Sequence, residues 1–138
     1  MQSFEEKSYP YLGNTGNNKY YLIEEDIVLG IPNHNVVEDG QSAKENITFQ
    51  MNYARNTQGK CGFIIDLSQI KSQTTDARKI YADGMDADLC LGTALIVANP
   101  LSRAIGSFFI ALSKSKVPTK LVDSTDSGIQ WLQTLQNK

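Results

Sequence analysis

The sequence predicts a single α/β domain with a mostly parallel central sheet and an N-terminal β-hairpin. The chain has 138 residues, the length of one domain. After the hairpin, short apolar runs typical of buried strands alternate with segments whose apolar residues recur at helical spacing. Because each helix must cross over between two strands, the later strands should be parallel. We therefore expect the order β-β-α-β-α-β-α-β-α.

The N-terminal part of the chain predicts a lead-in followed by the hairpin. Residues 1–18 contain proline, glycine and asparagine and no sustained apolar period, so we expect a loosely ordered lead-in before an α/β domain that spans residues 19–138. Two short apolar runs then flank a polar tip at residues 24–26, which is typical of two antiparallel strands. Pro32 should end the second strand, because proline cannot donate to a central ladder.

The middle of the chain predicts a helix, a strand and a second helix. Apolar residues recur at helical spacing from residue 39 to residue 56, and Asp39 can cap the first turn. The run "CGFIIDL" at residues 61–67 is typical of a strand covered on both faces. A shorter helix is expected over residues 75–85.

The C-terminal part predicts two further strand and helix pairs. The apolar run "GTALIVA" at residues 92–98 indicates a buried strand. Asn99 and Pro100 are typical of a helix start, since asparagine caps and proline suits the first helical position. A short strand at residues 119–123 precedes a last helix that Ser124 can cap.

The helix after Pro100 has the clearest amphipathic pattern in the chain. We expect its apolar stripe to face the core. The stripe consists of Leu101, Ala104, Ile105, Phe108, Phe109 and Leu112. On a helical wheel Ile110 falls opposite this stripe, beside Arg103 and Lys114, where an apolar residue could contact a partner, a second subunit or lipid headgroups.

Composition excludes several classes of function. The net charge of −2 provides no overall attraction to nucleic acid. The sequence has neither a secretory leader pattern nor a run of about 18 apolar residues, so we expect a cytoplasmic protein without a transmembrane segment.

The residues that usually carry chemistry are sparse. Cys61 and Cys90 form no metal-binding motif and His34 is the single histidine, so we expect no metal ion. The chain has no glycine-rich nucleotide motif, and we expect no cofactor. His34 is better explained as a loop residue than as a base. The sequence offers no convergent acid, base and nucleophile, and we expect a protein that is not an enzyme.

A candidate binding site lies where two strands are predicted to end. Ligands of parallel sheets bind beyond the carboxyl ends of the strands, where helix N-termini converge. If strands 61–67 and 92–98 are neighbours, their junctions bring together six candidate side chains around exposed N–H groups, where an anion or a partner's carboxylate could bind. These candidates are Ser68, Thr74, Thr75, Asp76, Ser102 and Arg103. The structural alternative is that the hydroxyl groups and Asp76 only cap a helix.

The order of elements and the stretch "IIDLSQIKSQTTDA" resemble the STAS domain, the fold of bacterial anti-sigma factor antagonists and of the cytoplasmic tails of sulfate transporters. In that family a strand and loop lead to Asp-Ser-Ser-Gly, whose second serine is phosphorylated. The resemblance places residues 74–77 on this motif. The acceptor position is therefore Asp76, which a serine kinase cannot phosphorylate, and its neighbour Thr75 carries the nearest hydroxyl.

The stretch "LSRAIGSFFIALSKSKVPTKLVDSTDSGIQWL" is similar to the C-terminal half of a STAS-like subfamily that is often grouped with lipid-binding SEC14 domains. Most members of that subfamily have no assigned activity. The resemblance implies a non-enzymatic regulatory domain that binds a protein partner, with the start of the helix at residues 75–85 as the leading site. A second copy of the chain is one candidate partner. The alternative is a carrier or sensor of a small apolar or anionic ligand.

Overall fold

The computed structural model describes residues 9–24, 26–113 and 116–137. Lys114 and the side chains of Leu112 and Ser113 lie outside the described part. The elements in chain order are β1 (Tyr11–Asn14), β2 (Asn18–Glu24), β3 (Ile27–Pro32), β4 (Val36–Glu38), α1 (Gly40–Arg55), β5 (Cys61–Asp66), β6 (Ile70–Gln73), α2 (Thr75–Gly84), β7 (Cys90–Ile96), α3 (Pro100–Ser113), β8 (Thr119–Val122) and α4 (Thr125–Gln136).

The central sheet has the strand order β1-β2-β3-β5-β7-β8. The two pairings among β1, β2 and β3 are antiparallel, whereas β3, β5, β7 and β8 run parallel to one another. The prediction of a mostly parallel sheet with an N-terminal hairpin is therefore confirmed. The neighbouring positions of β5 and β7, on which the candidate site depends, are confirmed as well.

Three short strands add to the predicted order. The expected lead-in at residues 1–18 contains β1, which forms an antiparallel pair with β2, while residues 1–8 lie outside the described residues. β4 and β6 form a separate parallel pair in which Val36 faces Ile70 and Glu38 faces Gln73. Each of these strands has only three or four residues, too few for a recognisable period, and the pairing of β4 with β6 joins distant parts of the sequence.

The helix starts follow the predicted capping chemistry. Asp39 caps α1 by accepting from the backbone N–H of Ser42, Thr74 caps α2, and Ser124 caps α4. Asn99 accepts from the backbone N–H of Ser102 at the start of α3. Each interaction satisfies an N–H group that has no partner inside the helix.

The sheet is covered on both faces. Alternation along β2 sends Tyr20 to the face covered by α1, where it packs with Phe63 and Met51. Its neighbour Tyr21 packs on the opposite face, with Leu132 of α4. Helices α2 and α3 cover the same face of the sheet as α1. The segments that follow the carboxyl ends of β5 and β7 therefore lie beside α2 and α3.

Helix α3 is rotated relative to the predicted stripe. Ile105 is buried and Phe109 is half-buried, as expected, but Leu101 is 48% exposed, Phe108 is 57% exposed and Ala104 is exposed. The inward face instead includes Ser102 and Gly106. A Cβ atom at Gly106 would lie 2.6 Å from Cδ2 of Leu121. The small residues allow α3 to approach β8 closely, which turns part of the apolar stripe toward solvent.

Replacing Gly106 by valine is expected to lower the free energy of unfolding by about 1 to 3 kcal/mol, because the larger side chain must displace Leu121. Urea denaturation measures the change. Ser107→Val on the exposed side of α3 is the matched control and should have little effect. Equal stability of the two variants would contradict the close approach of α3 to β8.

Candidate functional site

Three predicted site residues lie together at the exposed start of α2. Thr74 accepts a hydrogen bond from the backbone N–H of Ala77 at 3.1 Å, and Thr75 Oγ1 accepts one from Nη2 of Arg78 at 3.3 Å. Asp76 lies in the same turn but on the side of α1, in a groove that Gly40 and Lys79 also line. Capping therefore uses the hydroxyl of Thr74 and leaves the first turn of α2 exposed.

The other predicted residues do not join this cluster. The hydroxyl of Ser102 is buried, accepts from the backbone N–H groups of Ala98 and Asn99, and donates to the carbonyl of Asn99. Arg103 is exposed, but it lines a groove formed with β8 and α4. The predicted site residues therefore do not form one cluster. Ser102 stabilises the start of α3, and Arg103 lies on the side of α3 that faces β8 and α4.

Ser68 occupies a half-buried loop that reaches a different part of the sheet edge. Its backbone N–H donates to Asp66 Oδ1 at 2.9 Å. The next residue, Gln69, contacts His34 through Oε1 and Nδ1 at 2.6 Å. His34 is therefore held by the loop between β5 and β6, in agreement with its interpretation as a loop residue.

The structure brings Arg78 and Phe108 to the start of α2. Arg78 donates from Nη1 to the carbonyl of Gln73 at 3.0 Å and from Nη2 to Thr75. Its guanidinium carbon lies 5.0 Å from the centroid of the Phe108 ring, a cation–π contact. Leu101 lies two turns before Phe108 on the same face of α3. We call Thr74, Thr75, Arg78, Leu101 and Phe108 the α2–α3 surface.

A buried polar network lies behind this surface. Glu38 is only 3% exposed; its Oε1 accepts from Gln73 Nε2 at 2.9 Å, and its Oε2 accepts from the hydroxyl of Tyr81 at 2.9 Å. Asn46 Nδ2 donates to the same hydroxyl at 2.8 Å. Burial raises the pKa of Glu38, and the hydrogen bonds from Gln73 and Tyr81 partly oppose this shift. Sequence reasoning missed Glu38, because a glutamate in a three-residue strand carries no signal of burial.

The two cysteine side chains are buried in the core. Cys61 and Cys90 are free and buried, and burial raises the pKa of Cys61 to about 12 and that of Cys90 to about 11. Both thiols are thus protonated at neutral pH and poor nucleophiles. Within the described residues, no three His, Cys, Asp or Glu side chains are grouped so that they could hold a metal ion. In the same part of the chain, no helix has both the length and the apolar character needed to cross a membrane.

Comparison with known proteins identifies the family. A family model described as a domain of unknown function, DUF7793, matches residues 21–136. The chain belongs to the DUF7793 family. No curated protein matches the sequence.

The fold of this DUF7793 member also occurs in a solved structure. It is similar to an uncharacterised protein of the DUF3478 family with a SpoIIAA-like fold from Shewanella loihica PV-4. The two chains are 11% identical, the TM-score is 0.58, and the match covers 96% of this chain and 98% of that chain. At this identity the likeness concerns the fold alone. The resemblance to the STAS fold is thereby confirmed for the DUF7793 chain.

Proposed function

We propose that this protein is a non-enzymatic cytoplasmic regulatory domain that binds a protein partner through the α2–α3 surface. One observation carries the proposal: Phe108 is exposed on α3, and Arg78 contacts both its ring and Thr75 in the exposed first turn of α2. Leu101 is also exposed, two turns before Phe108. Exposed apolar side chains that form a patch mark interaction sites, and aromatic residues and arginine are enriched among the residues that dominate binding.

The chemistry of the surface indicates what a partner should offer. The ring of Phe108 and the side chain of Leu101 suit an apolar side chain, whereas Arg78 and the hydroxyl of Thr75 suit a hydrogen-bond acceptor such as a carboxylate. We therefore propose a partner that places an apolar residue next to an acidic one.

The proposed binding needs no phosphorylation. The STAS resemblance places Asp76 at the acceptor position, and a serine kinase cannot phosphorylate an aspartate. Thr75 already accepts a hydrogen bond from Arg78. The proposed partner would therefore recognise this surface in the unmodified chain.

The carrier alternative has less support. Pockets for drug-sized ligands have volumes of roughly 300 to 1,000 Å³. The cavity between the sheet and helices α2 and α3 measures about 40 Å³. A lipid or another large ligand would have to separate these elements before it could bind there, and the larger volumes of about 600 and 560 Å³ belong to open surface grooves.

Phe108→Glu is expected to weaken partner binding about thirtyfold, because a central aromatic contact contributes about 2 kcal/mol or more. A tagged full-length chain recovers the partner from the source organism's lysate, and calorimetry then measures the dissociation constant for the purified pair. Arg78→Glu should have a similar effect.

Arg103→Glu is the matched control. It makes the same charge change as Arg78→Glu, but on the side of α3 that faces β8 and α4. If binding is lost with Arg103→Glu and retained with Phe108→Glu, the interface lies on the side of α3 that faces β8 and α4. Recovery of the same proteins by the wild type and by Phe108→Glu would contradict the proposal. Sedimentation of the purified chain shows whether the partner is a second copy.

A further inference from the structure

A small cavity lies between the sheet and helices α1, α2 and α3. Its volume of about 40 Å³ is enough for about three water molecules, or for a molecule with about three non-hydrogen atoms. Most of its wall is apolar, formed by Ile65, Leu67, Met85, Leu95, Ile105 and Phe109. The polar side chains of the same wall belong to Asn18, Glu38, Gln50, Gln73, Tyr81 and Thr93.

Three side-chain oxygens of this wall are buried and have no hydrogen-bond partner among the described residues: Asn18 Oδ1, Gln73 Oε1 and Thr93 Oγ1. Asn18 and Thr93 are 2% and 5% exposed. The hydrogen bonds of the two amides define their orientations. Asn18 Nδ2 donates to the Tyr20 hydroxyl at 3.3 Å, and Gln73 Nε2 donates to Glu38 Oε1 at 2.9 Å. Both unpartnered amide oxygens are therefore acceptors without a donor.

The charge of Glu38 has no opposite charge in this wall. Its partners Gln73, Tyr81 and Asn46 are all neutral, and in the part of the chain that the structure describes no lysine or arginine lines the cavity. A buried carboxylate is costly unless a cation or several hydrogen bonds compensate it. The cavity thus combines a carboxylate and two amide oxygens that accept no hydrogen bond with an apolar wall, and the unpartnered Thr93 hydroxyl can accept as well as donate.

We propose that this cavity binds a small organic cation, a primary alkylammonium ion of the size of ethylammonium. Its N–H groups donate to Glu38 and to the unpartnered oxygens, and its short carbon chain contacts the apolar wall. A primary ammonium has three donors and no acceptor, which complements the carboxylate of Glu38 and three unpartnered oxygens that can all accept. The apolar wall favours this ion over a bare metal cation, which would require oxygen ligands on most sides.

Binding is tested with the full-length chain and ethylammonium chloride, with ethanol as the neutral analogue and potassium chloride as the salt control. A ligand of about three non-hydrogen atoms reaches a dissociation constant on the order of 1 mM at best. We expect saturable binding near this value by NMR titration, with contacts between the ethyl group and the methyl groups of Leu95 and Ile105. Ethanol should bind at least about tenfold more weakly, because it lacks the charge.

Two variants locate the site. Glu38→Gln retains the shape and removes the charge, and Thr93→Val retains the shape and removes one acceptor; each should weaken binding about tenfold or more. Asp88→Asn makes a matched change at an exposed carboxylate and should leave binding unchanged. If Glu38→Gln fails to fold, the affinity of Thr93→Val for ethylammonium still tests the proposed site. Equal binding of ethanol, unchanged affinity in Thr93→Val, no saturable binding, or a cavity that contains water only would overturn the proposal.

Discussion

Replacing Asn46 by alanine is expected to lower the free energy of unfolding by about 3 kcal/mol, because several buried groups lose a partner at once and each costs about 1 to 3 kcal/mol. Asn46 is fully buried in α1. Its amide N–H groups donate to Asn17 Oδ1 at 3.0 Å and to the Tyr81 hydroxyl at 2.8 Å, and its oxygen accepts from the hydroxyls of Thr15 and Tyr20. One side chain thus joins α1 to β2, to α2 and to the turn before β2.

Urea denaturation of the wild type, Asn46→Ala and Asn52→Ala measures this effect. Asn52 lies on the exposed side of the same helix, so its replacement removes the same atoms without leaving buried groups unpartnered. The control should be neutral or slightly stabilising, because alanine is the better helix former. Equal losses for the two variants would show that the buried network contributes no more than a surface hydrogen bond.

Glu38→Gln is expected to reduce the loss of stability that the wild type undergoes as the pH rises. Burial raises the pKa of Glu38 in the folded protein, whereas the unfolded chain has the ordinary value near 4.3. The folded state therefore binds this proton more tightly than the unfolded chain does. The stability that protonated Glu38 contributes is fully present below about pH 4.3 and is lost as the pH rises through the folded-state pKa. Each pKa unit of difference corresponds to about 1.4 kcal/mol.

The glutamine variant cannot ionise and should therefore be less sensitive to pH in this window. Tyr20 and Tyr81 face the same network, but burial raises the pKa of both hydroxyls, and they remain neutral. Denaturation midpoints from acid to neutral pH test the prediction. A wild type and a variant with parallel pH profiles would contradict a buried ionising Glu38.

Asp39 provides a control of opposite sign at the next residue. Its hydrogen bonds with Ser42 lower the pKa of this exposed carboxylate. The stability that it contributes is therefore present above the unfolded-state value near 3.9 and is lost as the pH falls through the folded-state pKa. Asp39→Asn should remove that acid-side loss and leave the Glu38 profile in place.

The parts of the fold that were predictable from the sequence are those determined by residues close to one another in the sequence. Asp39, Thr74 and Ser124 cap helices because their side chains reach N–H groups only a few residues away. The buried strands β5 and β7 were recognisable because sheets covered on both faces require continuous apolar runs. Strands β4 and β6 had no such signal, since their stability depends on each other and not on neighbouring residues.

The candidate site was predictable only in part, and α3 shows why. Periodicity indicated an apolar stripe, but it could not indicate that Gly106 would bring α3 so close to Leu121 that Phe108 turned outward. The first turn of α2 was recognised from Thr74, Thr75 and Asp76. Its neighbour Arg78 was missed because the contact with Phe108 exists only after α2 and α3 have packed.

The pairing of β4 with β6 has a mechanical consequence. The backbone N–H of Thr74 donates to the carbonyl of Glu38 at 2.9 Å, so the first turn of α2 is bonded directly to the segment that begins α1. A displacement of that turn must stretch the bond or move the end of β4 with it. Glu38 belongs to that same end, so we expect a displacement of the first turn of α2 to shift the buried carboxylate as well.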